Sequence, residues 1–125
     1  MQVSIYNTQK RFPINPDSIK KLARRVILAE GASFDEVSLH FVGKKKICQL
    51  HQDFFDDPSF TDCISFPMDN SECLGYSVLG EVFICPEAAS RFINKHGGDL
   101  YEEISLYVVH GLLHLLGYDD IEDDD

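Results

Sequence analysis

The chain has 125 residues, of which 44% are hydrophobic and 26% charged, and its net charge is −10. This length and balance predict one globular domain, residues 1–125, with its own core. No apolar stretch reaches membrane-span length, and the first thirty residues lack the apolar centre of a secretory signal, so a cytoplasmic protein is expected. The four cysteines are irregularly spaced without a C-x-x-C pair, which disfavours a zinc ribbon or a thioredoxin-type site.

The charge is unevenly distributed along the chain. Six of the last seven residues are acidic, and without them the net charge is −4. A short acidic tail is therefore predicted from about residue 121. The acidic balance disfavours nucleic acid as a partner. Lys44, Lys45 and Lys46 form a basic cluster that permits a weak RNA contact, although most such clusters are simply solvated surface.

The first half of the chain predicts two strands, each followed by a helix. Residues 2–6 alternate in polarity, as a short strand does. A helix is predicted to start at Asn15, its cap, and to run at helical apolar spacing to Gly31. Residues 36–42 alternate again and predict a second strand. Residues 44–55 return to helical spacing and predict a short helix with a lysine-rich first turn.

The second half predicts two more strands and two helices. Residues 62–66 form a strand that the following proline ends, and the apolar residues 79–85 form another. A helix over residues 86–95 and a last helix over residues 100–116, capped by Asp99, follow. The element order predicts an α+β or mixed α/β layered fold rather than a regular βαβ series. The last helix is apolar nearly all round and should be central and buried.

Two histidines in this last helix are the strongest chemical signal in the chain. His110 and His114 lie four residues apart, which places their Cβ atoms about 5–6 Å apart on one helix face. Both imidazoles can then bind one zinc ion at about 2.0–2.1 Å. The other residues around them are mostly leucines, so a metal would satisfy two otherwise poorly partnered rings. The helix ends at Gly117, so a third ligand is expected just beyond, where Asp119 and Asp120 lie. Histidine pairs at this spacing also arise by chance.

Three segments of the chain, in their order and spacing, resemble the YbeY family. They are Thr61-Asp62-x-x-Ser65-Phe66-Pro67, Leu79-Gly80-Glu81-Val82 and His110-Gly111-x-x-His114-Leu115-x-Gly117-Tyr118-Asp119. The resemblance implies a metal-dependent endoribonuclease that cleaves single-stranded RNA in ribosomal RNA maturation and ribosome quality control. It implies a zincin-like α+β fold, a small mixed β-sheet packed by helices. Ribosomal RNA or the small ribosomal subunit would be the partner, with no membrane involved.

The resemblance also implies a ligand set, and here the chain departs from the family pattern. The family holds Zn2+ with three histidines, of which two map onto His110 and His114 and the third onto Asp120. A carboxylate is a competent zinc ligand, and two histidines with one carboxylate also suit manganese, nickel or iron. The second departure is Phe55, where the family usually has an arginine that can reach a phosphate. Phenylalanine could stack on a base, but a core position is its more usual role.

These residues predict metal-assisted hydrolysis of RNA with the general base left open. Gly111 follows His110, so the H-E-x-x-H pattern of metallopeptidases is absent, which disfavours a peptidase. Asp62 and Asp119 are the candidate bases. Each also has a structural reading, Asp62 as a strand-end hydrogen bonder and Asp119 as a turn residue. Glu81 is the weaker candidate, expected on an exposed strand face.

Two other functions remain open from the sequence. In the first, the metal is structural and the domain is a catalytically weak or inactive module that binds a ribosomal particle or a protein. The aspartate at 120, the phenylalanine at 55 and the acidic charge favour that function. In the second, the protein is a metal-dependent hydrolase of another substrate class, because one fold can serve several. His40 and His51, expected at the surface or half-buried, are alternative third ligands that the spacing does not favour.

Overall fold

The computed structural model describes residues 1–68 and 75–118. The element order expected from the sequence is confirmed, and no helix within these residues is long and apolar enough to cross a membrane. The single domain over residues 1–125 and its acidic tail stay predictions, because residues 119–125 lie outside the described part. The elements are β1 (Gln2–Asn7), α1 (Pro16–Ala29), β2 (Glu36–Phe41), α2 (Lys44–Phe55), β3 (Cys63–Pro67), β4 (Val78–Ile84), α3 (Pro86–His96) and α4 (Leu100–Leu115).

The four strands form one mixed sheet in the order β1-β2-β4-β3. The first three are mutually parallel, and β3 runs antiparallel to β4. Alternation along β2 separates the two faces of the sheet. Leu39 and Phe41 are fully buried in the main core, whereas His40 stacks on the other face between Tyr6 and Phe83. The sheet with its helices confirms the α+β fold.

Helix α4 lies at the centre of the main core, as its composition predicted. Ile104, Val108 and Leu112 are fully buried, and the helix packs on α1, α3, β3 and β4. Its first turn is capped by the Asp99 side chain, which accepts a 2.9 Å hydrogen bond from the backbone N–H of Glu102. Because its packing partners come from both halves of the chain, α4 is held in a defined position relative to the sheet.

Helix α2 packs on the opposite face of the sheet. Its buried residues Ile47 and Leu50 join Ile64 and Cys85 in a second, smaller cluster. These contacts fix α2 beside β3. The last turn of α2 therefore lies near the strand that packs against α4.

Candidate active site

The two histidines of α4 lie together, as their spacing predicted. The ring centroids of His110 and His114 are 4.7 Å apart, the ring planes are nearly perpendicular at 78°, and both side chains are half-buried. This arrangement follows from the four-residue spacing on a regular helix. Two imidazoles on one helix face fit two of the ligand positions of a zinc ion.

Between the histidines, α4 touches the sheet directly. A Cβ atom on Gly111 would lie 2.4 Å from Cγ1 of Val82 and 3.3 Å from Oγ of Ser65. The Ser65 hydroxyl donates a 2.9 Å hydrogen bond to the Gly111 carbonyl oxygen. Any side chain at position 111 would force the helix away from β4. The glycine in place of the metallopeptidase glutamate therefore has a packing reason.

A cavity of 330 Å³ opens beside the second histidine. Three elements contribute to it: the end of α2, the strand β3 and the last turns of α4. Its lining residues are His51, Phe55, Cys63, Ile64, Ser65 and His114. The cavity therefore joins one of the candidate metal ligands to two side chains from α2.

His51, which the sequence offered only as an unfavoured third ligand, lines this cavity. Its Nδ1 lies 3.0 Å from the carbonyl oxygen of Ser59, and since a carbonyl can only accept, Nδ1 carries the proton and donates it. The ring is 20% exposed, and its Nε2 is 4.0 Å from the Asp57 carboxylate. The loop after α2 thus sets the ring orientation. The only sequence signal was its place four residues before Phe55, on the same helix face.

Asp57 is held in place by the same loop. Its carboxylate accepts a 3.0 Å hydrogen bond from the backbone N–H of Ser59. Hydrogen bonding by Ser59 lowers the pKa of Asp57, and the nearby His51 adds a smaller effect in the same direction. Asp57 is therefore a stable anion beside His51.

Comparison with known proteins identifies the family. Residues 4–125 match the family described as Endoribonuclease YbeY. The chain belongs to the YbeY family. Endoribonuclease YbeY of Protochlamydia amoebophila (strain UWE25) is 45% identical over 123 residues, which cover 98% of this chain and 82% of that protein. The Chlamydia abortus protein of the same name is 45% identical over 124 residues, covering 96% and 78%. This membership confirms the resemblance carried by the three segments.

A solved structure shares the fold. The solution structure of TM1509 from Thermotoga maritima superimposes with a TM-score of 0.66 and covers 99% of this chain and 79% of that one. Its sequence identity is 23%, so this likeness bears on the fold alone. It agrees with the α+β architecture described above.

The resemblance to the YbeY family implies three metal ligands, and the described residues include the two histidines expected among them. Asp119 and Asp120 lie outside the described part of the chain, so their roles stay predictions. Within residues 1–68 and 75–118, no group of three histidine, cysteine or acidic side chains is close enough to hold a metal. His40 and His51 therefore do not complete the pair in this structure. His40 instead lies 2.8 Å from the carboxylate of Glu81, a half-buried residue of β4.

Hydrogen bonds set the chain path from the end of α4 to Tyr118. The backbone N–H of Gly117 donates to the His114 carbonyl, and that of Tyr118 to the Leu113 carbonyl, a Schellman-type end with Gly117 at φ +104°. The Tyr118 hydroxyl donates a 2.5 Å hydrogen bond to Glu30 at the end of α1. These bonds determine where the chain leaves the helix just before the two aspartates.

Asp62 lies at the start of β3 and makes the strand-end hydrogen bond that the sequence allowed. Its carboxylate accepts from the backbone N–H of Cys63 at 2.7 Å. It does not line the cavity beside His114. The use of Asp62 as a general base stays a prediction.

Burial raises the pKa of Tyr107 on α4, and the charges of Glu103 and Asp62 raise it further.

Phe55 corrects one expectation from the sequence. The core position proposed for it is wrong, because the side chain is 53% exposed and lines the cavity. The buried contacts of α2 are made by Ile47 and Leu50, and the last turn extends past them. The position at which the resemblance implies an arginine therefore lines the cavity, and it carries an exposed phenylalanine ring.

The lysine cluster lies at the other end of α2. Lys44, Lys45 and Lys46 are all exposed. The Lys44 ammonium lies 5.3 Å from the ring centroid of Phe60, and the guanidinium of Arg91 lies 5.0 Å from the same centroid. Arg91 thus joins the cluster from α3, which the sequence did not indicate. An RNA contact by these lysines stays a prediction.

Proposed function

We propose that the protein is a metal-dependent endoribonuclease that cleaves single-stranded RNA during ribosomal RNA maturation and ribosome quality control in the cytoplasm. The observation that carries the proposal is the pair of imidazoles, His110 and His114, of which His114 lines an open cavity. Membership of the family, and the name endoribonuclease borne by the relatives, support RNA as the substrate. Ribosomal RNA, in the small ribosomal subunit, is the proposed target.

The donor chemistry of the site suits a zinc ion. His110 and His114 would supply two neutral nitrogen ligands, and Asp120 would supply a carboxylate oxygen. When bound, the metal would act as a Lewis acid and lower the pKa of a water molecule. The carboxylate makes the ligand set more negative than three histidines, so manganese, nickel or iron are also plausible occupants.

Within the cavity, His51 is the side chain best placed to assist. Its Nδ1 is held by the Ser59 carbonyl, which leaves Nε2 as the atom that can meet a ligand. Nε2 accepts a proton when the ring is neutral and donates to a phosphate oxygen when the ring is charged. We propose that His51 contacts the RNA phosphate. Phe55 cannot make this contact, because its side chain has no hydrogen-bond donor. Asp62 and Asp119 remain the proposed candidates for the general base.

The second candidate is a module that binds a ribosomal particle or a protein and keeps the metal for stability. The specific observations that favour it are the net charge of −10 and the exposed phenylalanine where the family has an arginine. An acidic surface slows and weakens binding to RNA. The affinity for RNA would then depend only slightly on salt concentration.

One experiment separates the two candidates. The purified protein is analysed for bound metal and then incubated with single-stranded RNA at low salt, with and without a chelator. Zinc, manganese, nickel and iron are each added back. Metal-dependent cleavage that is lost in His114→Ala and kept in His96→Ala, a histidine at the exposed end of α3, supports the enzyme. Stoichiometric metal without cleavage under any of these conditions supports the binding module.

The third ligand is tested by metal content alone. Asp120→Ala should lower the amount of zinc retained after dialysis, and Asp120→His should raise it, because imidazole restores the family's donor set. A matched control is Asp123→Ala, which removes one charge from the same tail. Unchanged zinc retention in Asp120→Ala would remove Asp120 from the ligand set.

A further inference from the structure

We propose that three phenylalanines, Phe54, Phe55 and Phe66, form a stacking surface for one unpaired RNA base next to the cavity. We call these three residues the aromatic shelf. The proposal rests on the proposed RNA substrate and assigns a specificity role to residues outside the metal ligands. No charged side chain belongs to the shelf, so its contribution is distinct from phosphate binding.

The rings of the shelf are in mutual contact. The centroids of Phe54 and Phe66 are 4.9 Å apart at an interplanar angle of 62°, and those of Phe55 and Phe66 are 6.3 Å apart at 26°. Phe66 is also anchored to the sheet, since its ring meets Phe83 edge-on at 5.7 Å. These are favoured arrangements for aromatic pairs. The shelf therefore rests on β4 through Phe66.

The outer rings of the shelf are open to solvent. Phe54 is 63% exposed and Phe55 is 53% exposed, although phenylalanine is among the residues most often buried. Helix α2 ends directly after them at Asp56, which has a left-handed φ of 55°. Two adjacent exposed rings at a helix end, braced by a third, are a surface on which a flat apolar ligand can stack.

The shelf is continuous with the candidate active site. Phe55 lines the same cavity as His51 and His114. A nucleotide whose phosphate occupies the cavity would therefore have its own or its neighbour's base at Phe55. This adjacency selects an RNA base as the occupant, because it joins an aromatic surface to a site that would hold phosphate.

Stacking on the shelf requires an unpaired base. A base inside a duplex is paired and stacked on both faces, and removing it from the helix is costly. A base in a single strand has a free face, and every base can stack on an aromatic ring, so the contact tolerates different sequences. The shelf thus accounts for a preference for single-stranded RNA without reading particular bases.

The charges around the shelf indicate that stacking, rather than attraction, would dominate there. Asp53 and Asp56 accept hydrogen bonds from the side-chain amides of Gln49 and Gln52, at 2.8 Å and 3.1 Å. These carboxylates do not attract phosphate. The contribution of the shelf should therefore change little with salt, whereas phosphate contacts weaken steeply as salt rises.

The test measures binding without cleavage. A fluorescent purine analogue is placed within a short single-stranded RNA and titrated with protein in chelator, with the RNA checked to be intact. Wild-type protein should quench the analogue. Phe55→Ala should reduce affinity roughly tenfold at low and high salt alike. Phe55→Trp should restore affinity. The control Phe92→Ala, an exposed phenylalanine on α3, should bind as wild type.

The outcomes distinguish the shelf from the proposed function. Equal affinity of wild type and Phe55→Ala, or equal affinity for intact RNA and RNA lacking the base, would overturn the shelf even if wild type cleaves RNA. Base-dependent binding by a wild type that never cleaves would keep the shelf and overturn the nuclease. If wild type self-associates in sedimentation experiments and Phe55→Ala does not, the shelf is a contact between copies of the chain and the proposal fails.

Discussion

The hydroxyl of Ser65 on β3 donates a 2.9 Å hydrogen bond to the carbonyl of Gly111 on α4, between the two candidate metal ligands. This bond joins the strand that lines the cavity to the helix that carries the histidines. The depth of α4 against the sheet, and with it the position of both imidazoles, therefore depends on a contact between segments 46 residues apart.

Removing the Ser65 hydroxyl should destabilise the protein modestly. In Ser65→Ala the Gly111 carbonyl keeps its own helical partner, so we expect the free energy of unfolding to fall by about 1 kcal/mol. Urea denaturation followed by circular dichroism measures it. Ser33→Ala, at an exposed position, is the control and should be neutral. A loss in Ser65→Ala no larger than in this control would show that the bond contributes nothing measurable.

Replacing Gly111 with alanine should lower the free energy of unfolding. Alanine is favoured over glycine in a helix by about 1 kcal/mol. The new Cβ would lie 2.4 Å from Cγ1 of Val82, and overpacking of this kind costs about 1–3 kcal/mol. We therefore expect Gly111→Ala to unfold at lower urea than wild type. Gly43→Ala, where no atom lies within 4 Å of the added Cβ, is the matched control. A more stable Gly111→Ala would contradict the close contact.

The tether between Tyr118 and Glu30 should affect metal retention if Asp120 is a ligand. Tyr118→Phe removes the 2.5 Å hydrogen bond that holds the chain just before the aspartates. Weakening an interaction that orients a ligand lowers metal affinity by about tenfold or more. Competition with a fluorescent zinc chelator measures this. Tyr76→Phe, which loses a 2.8 Å bond to Glu36 on another surface, should retain zinc normally. Equal affinities in the two variants would count against the tether.

The alkaline stability of the protein should depend on Tyr107. Burial raises the pKa of this hydroxyl above its ordinary value of 10.0. The folded state therefore binds the proton more tightly than the unfolded state, and the resulting stabilisation is complete below the ordinary pKa. It is lost as pH rises through the raised, folded value. Tyr107→Phe should flatten the fall of unfolding free energy between the ordinary and the raised pKa, as measured by urea denaturation at several pH values. An unchanged slope would show that Tyr107 titrates normally.

Local features of the fold were predictable from the sequence. The cap at Asp99, the start of α1 at Asn15 and the pairing of His110 with His114 depend on residues within one or two helical turns. Helical geometry alone determines such relationships, so spacing is enough to predict them. The family was likewise recognisable from three short segments, because motif residues and their separation can be read without a structure.

Relationships across the sheet were decided only by the tertiary structure. The sequence offered His51 only as an unfavoured third ligand, and its place in the cavity with His114 depends on the packing of both α2 and α4 against β3. Phe55 was expected in the core, since apolar residues are buried on average. The last buried residue of α2 is Leu50, however, and Phe55 lies beyond it at an exposed position. The placement of His110 beside His114 follows from their spacing in one helix. The surfaces that would receive RNA depend instead on long-range packing, which residue type and spacing do not specify.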